Sequence, residues 1–184
     1  SLAVDRTADS YTNHWLCTQA IIEQTTLSWE THEGVTTVIP CKLEYNTATN
    51  GFSLIGYHVA DETFHYYALD TLPTVTVGNV PVEIDANTLY KEYQETNRQT
   101  VLFSIYDLNN AIDRCFNAFC NYEIVGSETE PNTFTLTVEY LPFQEKDIVR
   151  ILLSLGAAIR VQEPSIIKDQ LDTIYTQAIS LLGD

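Results

Sequence analysis

The chain has 184 residues, with 25 acidic side chains against 9 basic ones, for a formal charge of −16 at pH 7. That balance repels nucleic-acid phosphates and anionic membranes, and the length excludes a large multidomain enzyme while leaving one large or two small domains open. With 45% apolar and 18% charged residues there is a core to bury and too little charge for a disordered tail.

Asp9 or Ser10 is placed to cap a helix whose Leu16, Cys17, Ala20 and Ile21 recur at three-and-four spacing. The period then changes. Leu27–His32, Thr36–Tyr45, Gly51–Val59, Phe64–Leu72 and Thr74–Val77 are rich in threonine, β-branched and aromatic residues and read as strands. Turns are expected at Glu33-Gly34, at Thr49-Asn50-Gly51 and at Asp61-Glu62. Five short, closely connected strands predict a small barrel or a strongly bent sheet over residues 1–78. Residues 79–99, following Gly78, with Asn79 and Pro81 at their start and the polar run Lys91–Gln99 at their end, read as a linker between two domains.

The second domain, 100–184, opens with the strand Thr100–Tyr106. A helix is predicted from Asp107, with a stripe of Leu108, Ala111, Ile112, Cys115, Phe116 and Phe119. Strands Tyr122–Gly126 and Thr133–Leu141 follow, then a helix carrying Ile148, Ile151, Leu152 and Leu155 that stops at Gly156, then a short strand Ala158–Val161. Strand, helix, strand, strand, helix, strand is the split βαβ order of a ferredoxin-like fold. Ser165 is expected to cap a terminal helix whose Ile167, Leu171, Ile174, Ala178 and Leu181 must pack on this domain or on a second subunit. The fold class is therefore α+β.

Few motifs carry chemistry. Cys17, Cys41, Cys115 and Cys120 show no CxxC spacing and read as buried, reduced thiols. His14, His32, His58 and His65 are scattered without an HExxH pair, so no metal or other cofactor is expected. Both tryptophans, Trp15 and Trp29, are assigned to the core. After Arg6 the next cations are Lys42 and Lys91, whereas a duplex-binding surface commonly neutralises about 6–10 phosphates. No direct nucleic-acid binding is expected, and the acidity reads as solvated surface rather than as a nucleic-acid mimic. No apolar run approaches ~18 residues and no basic stretch precedes one, so neither a membrane span nor a signal peptide is expected, and the location is read as cytoplasmic. Initiator removal or excision from a longer product would equally explain the start at Ser1 in a chain without methionine.

Three stretches occur in an informative order: Val38-Ile39-Pro40-Cys41-Lys42-Leu43, then Gly51-Phe52-Ser53-Leu54-Ile55-Gly56-Tyr57, then Tyr67-Ala68-Leu69-Asp70. In these the chain resembles a WYL domain. The second half resembles that family's C-terminal extension through Ile105–Arg114, Ile151–Gly156 and Val161-Gln162-Glu163-Pro164. The resemblance implies an Sm-like (SH3-like) five-stranded β-barrel with an N-terminal helix over 1–78, followed by a ferredoxin-like βαββαβ domain and a C-terminal helix over 100–184. It also implies the regulatory part of a bacterial transcription regulator, sensing an effector and forming homo-oligomers, with a separate helix-turn-helix module for DNA. An alternative is a protein–protein interaction module accessory to a defence or repair system.

The family's sensing pocket uses arginines near Leu69-Asp70, but here His65, Ala68 and Thr71 stand at those positions and Phe52-Ser53-Leu54 replaces the aromatic triad. Bidentate phosphate contacts worth ~1.5–3 kcal/mol each are therefore lost. The remaining pocket candidates are His65, Tyr67, Asp70 and Ser53, suited to a neutral or cationic guest. Asp70 has a second reading, as the residue that fixes the turn at Thr71. No catalysis is expected: no serine sits in a GxSxG elbow, carboxylate pairs such as Glu128 and Glu130 fall in loops, and no glycine-rich phosphate loop exists.

Overall fold

A computed structural model describes the backbone of residues 2–47 and 49–183, and the side chains of 10–47 and 49–183. The chain divides into two compact units, residues 1–96 and 97–184. Each is built on an antiparallel sheet, of five strands in the first and four in the second. Among the described residues no helix is long and apolar enough to cross a membrane.

In the first unit, α1 (Leu2–Glu23) precedes β1 (Leu27–Thr31), β2 (Gly34–Asn46), β3 (Gly51–His58), β4 (Thr63–Ala68), β5 (Thr76–Val77) and α2 (Ala86–Asn97). The helix α1 begins well before the expected cap: Ser10 lies inside it, and the Asp9 side chain falls outside the described residues. The turn residues behave as their chemistry dictates, with Gly34 at φ 119°, Asn50 at φ 52° and Glu62 at φ 55°. The β4 strand stops at Ala68, four residues earlier than its apolar run. There the hydroxyl of Thr71 donates to the Ala68 carbonyl at 2.7 Å and the backbone enters a 3-10 turn, Leu69–Thr71.

The strand order is β4-β3-β2-β1-β5. The expected barrel is not closed: among the described residues no ladder joins β4 to β5, and two-residue β5 is too short to offer more than its pairing with β1. Curvature enters instead at a bulge between Pro40 and Lys42 on β2, where a proline that cannot donate to the ladder is tolerated. One face buries Leu27, Trp29, Val38, Leu54 and Leu69 with Cys17 and Ala20 of α1. The other packs Phe64 against Tyr90 and Tyr93 of α2, at ring separations of 5.1 and 5.3 Å. The stretch read as a linker thus contains a helix of this unit. Its start is set by Asp85, whose carboxylate accepts from the Asn87 amide at 3.0 Å and from the Thr88 hydroxyl at 2.9 Å, satisfying donors at the N-terminus.

The second unit runs β6 (Gln99–Tyr106), α3 (Ala111–Ala118), β7 (Ile124–Glu130), β8 (Thr133–Tyr140), α4 (Glu145–Leu155), β9 (Ile159–Glu163) and α5 (Ser165–Leu182). Its strand order is β7-β8-β6-β9. The core contains Phe103, Ile105, Phe119, Leu136, Ile148 and Leu152, with Ile167 and Leu171 from the start of α5. Helix α3 starts four residues later than Asp107, because Asn109 and Asn110 take left-handed φ of 52° and 57°; Leu108 and Phe116 of the predicted stripe are exposed. Ser165 is the first residue of α5, and the cap position falls on Pro164, which has no side-chain capping hydrogen bond. Two further assignments are corrected. Trp15 is 59% exposed on α1, and Cys120 lies beyond the end of α3 and is exposed, unlike the other three thiols.

Candidate functional site: an aromatic cleft beside Asp70

The four sequence candidates do not form one pocket. Ser53 is buried, on β3 opposite Ala68, out of reach of a guest. Tyr67 packs edge-on against Trp29 at 5.0 Å, and burial pushes its phenol up to about 12. His65 stacks on Tyr67 at 5.9 Å, with its Nε2 2.7 Å from Asp61 Oδ2. Desolvation pushes the Asp61 carboxyl up, but its contacts with His65 and His58 outweigh this and hold it below the usual carboxylate range. Of the four, Asp70 lines a sizeable opening among the described residues.

That opening is a cleft of about 700 Å³ whose walls include Tyr11, His14, Tyr45, Phe52 and Asp70. Its size lies within the ~300–1,000 Å³ typical of small-molecule sites. The β2–β3 turn, with Asn50 left-handed and Gly51 following, pairs Tyr45 with Phe52 across the strands. Their rings meet at 5.2 Å, and the Tyr45 hydroxyl donates to Asn50 Oδ1. From the opposite wall His14 meets Phe52 edge-to-face at 4.5 Å, and Tyr11, three residues earlier on the helix, stands on the same side. The 3-10 turn after β4 supplies Asp70.

Among the described residues no lysine or arginine lines the cleft. Aromatic faces and one carboxylate suit a planar neutral or cationic guest, and among the described lining residues a phosphate would meet no lysine or arginine. Tyr11, His14 and Tyr45 were not among the sequence candidates. The Tyr45–Phe52 pair was readable from the turn register, whereas the arrival of α1 across that hairpin is a tertiary fact.

No family model matches the chain, and no curated protein matches it. Among solved structures, a CRISPR Cas-related protein is similar in fold, with a TM-score of 0.55 and 10% identity over 94% of this chain and 52% of that one. Proteasome accessory factor B/C (PafBC) of Arthrobacter aurescens aligns with a TM-score of 0.38 and 15% identity over 87% of this chain and 26% of that one. The chain thus spans about a quarter of the length of PafBC and about half that of the Cas-related protein.

Proposed function

We propose that the chain is the regulatory part of a bacterial WYL-type transcription regulator, cytoplasmic and without catalytic activity, with a small-molecule effector bound in the cleft of the first unit. The observation that carries this reading is convergence. Two of the stretches on which the family resemblance rests, Gly51-Phe52-Ser53-Leu54 and Tyr67-Ala68-Leu69-Asp70, place Phe52 and Asp70 in the walls of one cleft. In this reading the first unit's open five-stranded sheet is a bent variant of the Sm-like barrel that the family resemblance implies. The strand order of the second unit supports the ferredoxin-like reading: counted within the unit, its strands lie second, third, first, fourth. A guest held between α1 and the β2–β3 turn would fix the position of α1, and through subunit geometry the spacing of two DNA-reading modules outside these residues.

The test is a pair of probes of similar size and opposite charge, benzyltrimethylammonium and benzoate, followed by amide NMR. The reading expects the cation to shift resonances of Tyr11, His14, Phe52 and Asp70, with the response lost in Phe52→Ala and Asp70→Asn. Preference for benzoate, or shifts away from these residues, would refute it.

A second reading, an interaction module accessory to a defence system, is favoured by the far half of α5. There Ile179, Leu181 and Leu182 are 70%, 80% and 86% exposed, an apolar face of the kind that marks contact with another chain. The same surface serves the homo-oligomer of the first reading. The fold shared with a Cas-related protein is compatible with either.

A further inference from the structure

We propose that the β3–β4 hairpin is a binding site for a divalent transition-metal ion, Zn²⁺ by preference, with His58 Nδ1, His65 Nε2 and the Asp61 carboxylate as ligands. The three donors lie within 4.8 Å of one another. His58 closes β3, Asp61 lies in the turn, and His65 is the third residue of β4. Pairing of His58 with Thr63 and of Gly56 with His65 sets the two imidazoles diagonally on one face of the hairpin, with ring centroids 5.1 Å apart.

The details favour an ion over a purely hydrogen-bonded cluster. His58 Nδ1 is buried and makes no hydrogen bond, although Asp61 Oδ1 is only 2.9 Å away. The other two ligands are held by their own neighbours. Asp61 Oδ1 accepts from the Thr63 amide at 3.3 Å, and the Tyr67 ring stacks on His65; such outer contacts pre-orient metal ligands.

Bond lengths of ~2.0–2.2 Å would place tetrahedral donors about 3.3 Å apart. The Asp61 contacts, 2.9 Å from Oδ1 to His58 and 2.7 Å from Oδ2 to His65, would open slightly, and any wider donor pair, within the 4.8 Å span, would close around the ion. Imidazole nitrogens with a carboxylate select zinc-like ions over Mg²⁺ or Ca²⁺, and the chain's charge of −16 draws cations toward it. His58, Asp61 and His65 side chains are 22%, 44% and 41% exposed, so the fourth position opens to water. The hairpin centre is independent of the aromatic cleft: six residue steps along β3 separate Phe52 from His58, about 20 Å at ~3.3 Å per step.

The experiment titrates the full chain, with exposed Cys120 replaced by serine to remove a competing thiol, with Zn²⁺ by calorimetry and Co²⁺ by visible absorption. One ion per chain is expected, with the ligand-field bands of a four-coordinate N/O site and no response to Mg²⁺. His65→Gln and Asp61→Asn should each weaken binding at least tenfold, while His14→Gln and His32→Gln leave it unchanged. In the unmutated chain, histidine ring NMR should show only His58 and His65 responding to Zn²⁺, a readout independent of whether any variant folds. Absence of one-to-one binding, or binding that survives loss of His65 and Asp61, would establish the hairpin as an ion-free polar cluster and overturn the proposal.

Discussion

The side-chain oxygen of Asn13 accepts the Val75 amide at 3.0 Å, while its amide nitrogen donates to the Pro73 carbonyl at 2.9 Å. Asn13 is fully buried. One side chain on α1 therefore closes the backbone groups of the segment that follows Asp70, and joins the two walls of the aromatic cleft. Asn13→Ala leaves a buried donor and acceptor unpaired, at an expected cost of about 2–3 kcal/mol. Urea denaturation checks the magnitude, and a loss below about 0.5 kcal/mol would mean that water replaces both bonds.

Thiol chemistry separates the four cysteines. Burial pushes the Cys17 and Cys115 thiols up to about 12 and that of Cys41 up to about 11, whereas Cys120 is exposed. At neutral pH one thiol per native chain should react with a maleimide, and Cys120→Ser should abolish that reaction. Two or more fast thiols would place one of the buried three at the surface.

Alkaline stability follows from Tyr67. Desolvation raises its phenol from 10.0 to about 12, so folding favours the neutral form. A raised folded value means that the contribution is complete below pH 10 and is lost as pH climbs through about 12. Urea midpoints measured across that window should fall less steeply for Tyr67→Phe than for the unmutated chain.

In the second unit, Phe103→Ala removes a fully buried ring that meets Phe119 at 6.0 Å, and should cost about 3–5 kcal/mol. Thermal unfolding of the 97–184 unit reads it directly.

Assembly is tested at the end of α5. If the exposed Ile179 and Leu182 mediate subunit contact, sedimentation should show a concentration-dependent oligomer that Ile179→Glu with Leu182→Glu dissociates. A strict monomer at high concentration removes this role for the helix.

Sequence pattern read the order of elements well, because period-two and period-3.6 burial are local properties. Gly34, Asn50 and Gly156 mark turns at positive φ, as their chemistry requires. Boundaries failed where short-range polar chemistry competed: Thr71 ends β4, the Asn109-Asn110 pair delays α3, and Asp85 starts a helix in a stretch whose polar face looks like a linker. The site was only partly legible. Asp70 and Phe52 stand in the two family-like segments, but Tyr11 and His14 join them by packing across about forty to sixty residues of chain. His58 and His65 look scattered along the chain and become neighbours only once strand register is known.

The Pro40 bulge has a consequence for how this sheet tolerates change. Pro40 pairs with Gly56 and Lys42 with Ile55, so Cys41 is the supernumerary residue. A shortened chain without Cys41 would keep every flanking side chain on its present side of the sheet, because the partners it leaves behind already alternate. What would vanish is the bend, and with it the thiol's 3.6 Å contact to Asn87 at the head of α2. Shape and inside–outside pattern are thus encoded separately here, and one codon sets the first without disturbing the second.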